Sequence, residues 1–88
     1  MRWHSITVTD SELIEIRKDL KRKYRREIAD GRVAGYTLFA CEPGAGDLIL
    51  FIPPGAVMLF ERMPRWKPRL RPYEGAPDLK GSMAVPVR

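Results

Sequence analysis

The residues best suited to chemistry in this sequence are two clusters of basic side chains. The first lies between residues 17 and 26, where seven arginines and lysines occur against a single acid, Asp19. Four of them share one flank of a helical projection: Lys18, Lys21, Arg22 and Arg25. Such a row can follow the phosphates of a nucleic acid, because each neutralised phosphate releases condensed counterions. The alternative is a solvated outer face that forms ordinary surface ion pairs.

The second cluster follows Glu61, where basic residues alternate with aromatic residues and prolines. The predicted nucleic-acid contacts of this cluster are Arg62, Arg65, Trp66, Lys67, Arg69 and Arg71. Basic side chains hold a nucleic-acid backbone while an aromatic ring stacks on an unpaired base. Prolines lower the entropy cost of an extended binding segment. In the alternative, Trp66, Leu70 and Tyr73 fold back over a sheet and the arginines face water.

Catalytic chemistry is not favoured. The only histidine is His4 and the only cysteine is Cys41, and the two could pair only if their strands were neighbours. A lone buried cysteine is usually a small core residue, and one histidine with one cysteine cannot complete a tetrahedral metal site without carboxylates. No Lys-Ser/Thr follows Gly44-Ala45-Gly46, as a phosphate loop requires. We therefore expect no enzyme, no metal and no cofactor.

One long helix is the clearest structural signal. Thr9 and Glu12 have the spacing of a capping box, with Val8 and Leu13 placed as a hydrophobic staple. An apolar stripe follows at spacings of three and four residues: Leu13, Ile16, Leu20, Tyr24 and Ile28, widened by Ile14. Gly31 stands where a glycine releases the last carbonyl groups of a helix. These signals predict a helix from about residue 10 to residue 30.

The remaining elements are predicted to be strands. Trp3, Ile6 and Val8 alternate with polar residues before the helix. Three short apolar runs, 36–41, 48–52 and 56–60, are separated by proline and glycine and predict a three-stranded antiparallel meander. The last third holds five of the eight prolines, which excludes helix and favours extended chain with a short edge strand over 83–87.

The predicted fold class is therefore α+β: an N-terminal strand, then one long amphipathic helix packed on an antiparallel sheet of three to four strands. We place the domain at residues 1–61 and treat 62–88 as an extended Pro/Arg-rich tail that either stays free or packs back on the sheet. The runs 48–52 and 56–60 are apolar on both faces, and one helix covers only one face. The predicted interface residues are Leu48, Leu50, Ile52, Val57 and Leu59.

Composition limits the partners. The formal net charge of +5 favours a polyanion such as nucleic acid or an acidic protein surface. One cysteine, no apolar stretch of signal-peptide length and no membrane-length segment indicate a soluble cytoplasmic protein. The leading hypothesis is a non-enzymatic module that holds nucleic acid through the helix and the tail. Its rival is a homodimer or protein-binding module that uses the apolar sheet face. Basic residues gathered on one side of the fold would favour the first.

Overall fold

The computed structural model describes residues 2–30, 36–42 and 47–87. Within these ranges the elements are β1 His4–Val8, α1 Asp10–Ala29, β2 Tyr36–Cys41, β3 Leu48–Ile52, α2 Val57–Glu61, β4 Arg71–Pro72 and β5 Met83–Val87. Single 3₁₀ turns occupy Pro54–Ala56 and Lys67–Arg69. The predicted α+β class is confirmed, and the sheet has five strands where three to four were expected. The predicted turn glycines Gly31 and Gly44 lie outside the described residues.

The sheet has the strand order β4-β1-β3-β2-β5, with every neighbouring pair antiparallel. Ile6 of β1 and Ala40 of β2 both stand opposite Leu50 of β3, so these three side chains share one face. That face carries the core and lies under the helices. The most apolar strand, β3, occupies the centre, because both of its faces and both of its edges are shielded there.

Helix α1 begins with the predicted capping box. The Thr9 backbone N–H donates to Glu12 Oε1 at 3.0 Å, and the Glu12 backbone N–H donates to Thr9 Oγ1 at 3.2 Å. The predicted stripe packs into the core, apart from Ile28, whose side chain is not described, while Ile14 is 55% exposed and does not widen it. The dihedral angles leave the helical region at Tyr24 (φ −111°, ψ 15°).

The Tyr24 hydroxyl donates to the Leu59 carbonyl oxygen at 2.7 Å, which ties α1 to α2. Burial of the Tyr24 side chain raises the pKa of its hydroxyl group.

The run 56–60 is a helix and not the third strand of a meander. Strand β3 already has β1 on one side and β2 on the other, so the chain that leaves β3 finds no free edge to pair with. Pro54 instead starts a 3₁₀ turn, closed by a hydrogen bond from the Ala56 N–H to the Pro53 carbonyl oxygen at 2.9 Å. Helix α2 then buries Val57, Leu59 and Phe60 and leaves Met58 exposed.

The chain beyond residue 61 packs against the rest of the domain and contributes to its core. Met63 and Trp66 are buried among the core side chains, and Leu70 packs against them. The predicted edge strand over 83–87 is present as β5, paired with β2, while β4 closes the other edge beside β1. Within the described ranges, no helix combines the length and the apolar character that crossing a bilayer requires.

Candidate nucleic-acid interface

Trp66 anchors the segment that follows α2. Its side chain is 1% exposed, and the indole N–H donates to an Asp19 carboxylate oxygen at 2.9 Å. The guanidinium groups of Arg65 and Arg69 lie 4.5 and 5.7 Å from the centre of the indole ring. The indole is therefore closed to an unpaired base, contrary to the stacking role predicted from the alternation of basic and aromatic residues. Burying this large apolar ring in a small core stabilises the fold more than leaving it exposed to solvent would.

The acidic residues of α1 hold the same segment in place. Glu15 forms an ion pair with Arg65 at 2.7 Å, and Glu12 forms one with Arg69. Arg69 also donates to the carbonyl oxygen of Thr7 at 2.6 Å. Three carboxylates, at spacings of three and four along one flank of α1, thus face the 65–69 segment. The charges of Glu12 and Glu15 are thereby compensated by Arg69 and Arg65. Among the described residues, Asp19 accepts only from a neutral indole N–H, and its charge lies beside Arg22 and Lys23.

The Glu12 carboxylate is the most strongly perturbed group at this junction. Its hydrogen bond with Arg69 and the hydrogen bond from the Thr9 backbone N–H lower its pKa from 4.5 to about 2. The same contact raises the pKa of Arg69 above its ordinary value. The charge of Arg69 is therefore compensated locally and contributes little to an external field.

The basic side chains on the rest of α1 are solvent-exposed. This set is Lys18, Lys21, Arg22 and Arg25. Among the described residues, none of the four forms an ion pair with a carboxylate. Arg25 lies one residue beyond the break at Tyr24, so the regular helical spacing runs from Lys18 to Arg22. The outer surface of α1 is thus a cationic flank whose four basic side chains form no ion pair within the described part of the chain, although Asp19 lies beside Arg22.

Basic residues from the second cluster join this flank. A shallow groove between α1 and the chain after α2 is lined by Arg22, Lys23 and Arg65, with Met63 and Pro64 among its other walls. The Lys23 ammonium group donates to the carbonyl oxygen of Arg62. Arg62 and Arg65 are both exposed at the surface. The structure therefore brings Arg22 and Lys23 of the helix beside Arg62 and Arg65. Lys18 and Lys21 line a separate groove of α1 with Ile14 and Arg17.

Arg71 lies apart from this group. It stands opposite Ser5 in the sheet, and Ser5 stands opposite Phe51, so all three belong to the face that points away from α1. Lys67 is exposed on the 3₁₀ turn. Of the predicted nucleic-acid contacts, Trp66 is buried and Arg71 belongs to a different surface. Arg65 and Arg69 are compensated by Glu15 and Glu12.

The predicted interface residues lie in the core. None of Leu48, Leu50, Ile52, Val57 and Leu59 is more than 7% exposed. Three of them are the inward positions of β3, and the other two belong to α2, which was taken for a strand. In this fold a partner protein cannot reach them. The face of β3 that points away from α1 carries Ile49 and Phe51 instead.

His4 and Cys41 do not meet. Strand β3 separates β1 from β2, and the register places the two residues on opposite faces of the sheet. The Cys–His pair considered from the sequence is therefore excluded in this fold.

Comparison with known proteins identifies no relative. No family model, curated protein or solved structure matches this chain.

Proposed function

We propose that this protein is a non-enzymatic module that binds nucleic acid through its helix-side cationic surface. This surface is formed by exposed cations that have no carboxylate partner among the described residues: Lys18, Lys21, Arg22, Lys23, Arg25 and Arg62. The observation that carries the proposal is the contact between the two basic clusters, where Arg22 and Lys23 of α1 meet the chain around Arg62. A surface of this kind attracts polyanions and steers their approach.

The spacing of the cations suits a phosphate backbone. Lys18 and Arg22 are four residues apart in the regular part of α1, which is about 6 Å along the helix axis. Phosphates of one strand recur about every 3.4 Å along a duplex axis, so these two side chains span about two of them. Exposed lysines and arginines on a convex helix reach phosphates more readily than base edges. The proposed binding is therefore largely independent of base sequence.

The rival function is docking on an acidic protein surface or self-association. The five apolar residues first assigned to such an interface are buried in the core, which removes the observation that favoured it. An acidic protein would still complement the same cations. A linear charged polymer differs from it in binding at overlapping positions along its length and in releasing counterions at each contact.

A charge-reversal pair tests the proposal. Lys21→Glu changes the helix-side cationic surface, and Lys80→Glu makes the same change of net charge at an exposed lysine outside that surface. Replacing one attraction at about 4 Å in water by repulsion amounts to about 2 kcal/mol, or roughly thirtyfold in affinity. We expect Lys21→Glu to weaken binding of a short labelled DNA duplex by roughly that factor, and Lys80→Glu to leave it within about twofold.

The measurement is fluorescence anisotropy at low and at physiological salt, with circular dichroism to verify that both variants are folded. Equal losses in both variants would mean that only net charge matters, and the helix-side cationic surface would lose its role. No binding by the unmodified protein at physiological salt would remove nucleic acid as the ligand.

A further inference from the structure

The face of the sheet that points away from α1, the open face, carries an aromatic cluster. Its members are Trp3, Phe39, Phe51 and Tyr73. The ring centres of Trp3 and Phe39 are 6.2 Å apart, and those of Phe51 and Tyr73 are 5.2 Å apart in an edge-to-face arrangement. Phe39 stands opposite Phe51 across the β2–β3 pair, and the Tyr73 N–H donates to the Trp3 carbonyl oxygen at 2.9 Å. The four rings thus form one group drawn from distant parts of the sequence.

A polar groove adjoins this cluster. It is lined by Ser5, Thr7, Pro68, Arg69 and Arg71. Ser5 and Thr7 are two residues apart on β1, so both hydroxyl groups point to the open face, and Arg71 stands opposite Ser5. Ser5 also stands opposite Phe51, which places the groove directly beside the rings.

The two arginines in the groove differ in whether a carboxylate compensates their charge. Arg69 is compensated by Glu12. The Arg71 guanidinium makes only long hydrogen bonds, at 3.4 and 3.3 Å, to the carbonyl oxygens of Pro68 and Leu70, and has no carboxylate partner among the described residues. An uncompensated guanidinium beside two hydroxyl groups supplies the donors that a phosphate oxygen accepts from.

We propose that the open face binds unpaired nucleotides of single-stranded nucleic acid. Arg71, Ser5 and Thr7 hold a phosphate, while the half-buried rings of Trp3 and Tyr73 stack on adjacent bases. A duplex is excluded from this mode because its base faces are already stacked within the helix. This inference rests on the proposed function for its ligand class, nucleic acid, but it concerns the opposite side of the sheet.

An anionic ligand fits this face better than a second copy of the chain. The strand positions that point to the open face carry apolar or hydroxyl side chains and Arg71, with no aspartate or glutamate among the described ones. In a symmetric dimer the same patch meets itself, so these strand positions would offer Arg71 no carboxylate partner. A strand of nucleic acid supplies both the missing anion and the flat rings that match the aromatic cluster.

The test compares a labelled single strand and a labelled duplex on two pairs of variants. Tyr73→Ala is expected to weaken single-strand binding by roughly five- to hundredfold, the range measured for loss of one stacked base. Tyr73→Phe keeps the ring and is expected to bind as the unmodified protein does. Arg71→Ala is expected to weaken single-strand binding and to leave duplex binding unchanged, whereas Arg71→Lys restores part of it.

Arg62→Ala is the matched control on the helix side, and it should weaken duplex binding while leaving intact the contribution of Tyr73 to single-strand binding. Inorganic phosphate should compete with a single strand in the unmodified protein and lose that effect in Arg71→Ala. If neither Tyr73→Ala nor Arg71→Ala changed single-strand binding, the inference would be wrong, even if Lys21→Glu still weakened duplex binding. Loss of duplex binding alone would instead count against the proposed function.

Discussion

Replacing Trp66 by alanine should remove a large part of the stability of this domain. The side chain is 1% exposed, and truncating a buried tryptophan typically costs about 3–5 kcal/mol. A chain of 88 residues has a total unfolding free energy of about 4–13 kcal/mol. The alanine variant is therefore expected to lose at least about a quarter of that free energy, which lowers its denaturation midpoint markedly. If Trp66 were a free base-stacking residue, the same change would leave stability within about 0.5 kcal/mol.

The milder change Trp66→Phe separates packing from hydrogen bonding. It keeps an aromatic ring and removes the donor to Asp19, a bond to a charged group that is expected to contribute about 2 kcal/mol. Urea denaturation followed by far-ultraviolet circular dichroism measures both variants. The control is Trp3→Phe, because Trp3 is only half-buried and lies on the open face. An alanine variant with an unchanged denaturation midpoint would refute the role of Trp66 as a core anchor.

Other predictions concern α1. Thr9→Ala should lower the free energy of unfolding measured with urea by about 1 kcal/mol, because the Glu12 N–H loses its capping hydrogen bond. The control is Ser11→Ala in the first turn of the helix, and a loss in Thr9→Ala no larger than in this control would contradict the prediction. Glu12 has a pKa of about 2 against an ordinary 4.5, so its stabilising contact with Arg69 is complete above pH 4.5 and is lost as the pH falls toward 2. The stability difference between the unmodified protein and Glu12→Gln should therefore shrink over that range, and a constant difference in thermal melting would argue against it. Leu20→Ala should cost about 2–5 kcal/mol in urea denaturation, because Leu20 is fully buried, and a loss below 1 kcal/mol would exclude its central place in the core.

Local signals predicted α1 well because each of them acts within a few residues. The capping box of Thr9 and Glu12 forms the two reciprocal hydrogen bonds that its spacing implies. Leu13, Ile16 and Leu20 form the buried stripe. The prediction that Ile14 belongs to the stripe was wrong, because one apolar residue beside a stripe does not reveal how wide the packed surface is.

The predicted third meander strand and the predicted apolar interface were wrong, because both depended on which strands pair with β3. Strand β1 takes the place beside β3 that a meander would give to residues 56–60, and that segment becomes helical. The same rearrangement puts Leu50 and Leu59 in one core instead of an open surface.

The aromatic cluster was missed for a related reason. Phe39 and Phe51 stand at alternate positions to the buried residues of their strands, which indicates that both point away from the core. Their neighbours Trp3 and Tyr73 come from segments far apart in the sequence, and only the register of β1 and β4 brings them together. Glu12, Glu15 and Asp19 were likewise visible as ordinary helix charges, but their partners lie about fifty residues away.

The salt dependence of duplex binding tests the central claim most directly. If the helix-side cationic surface neutralises about four to six phosphates, the logarithm of the association constant falls with the logarithm of salt concentration with a slope of about −4 to −5. Replacing Lys18 and Lys21 by alanine should flatten the slope by about 2, because each lost contact removes about 0.9. A slope near −1 for the unmodified protein, or a slope that the double variant leaves unchanged, would contradict the claim that this surface binds a phosphate backbone.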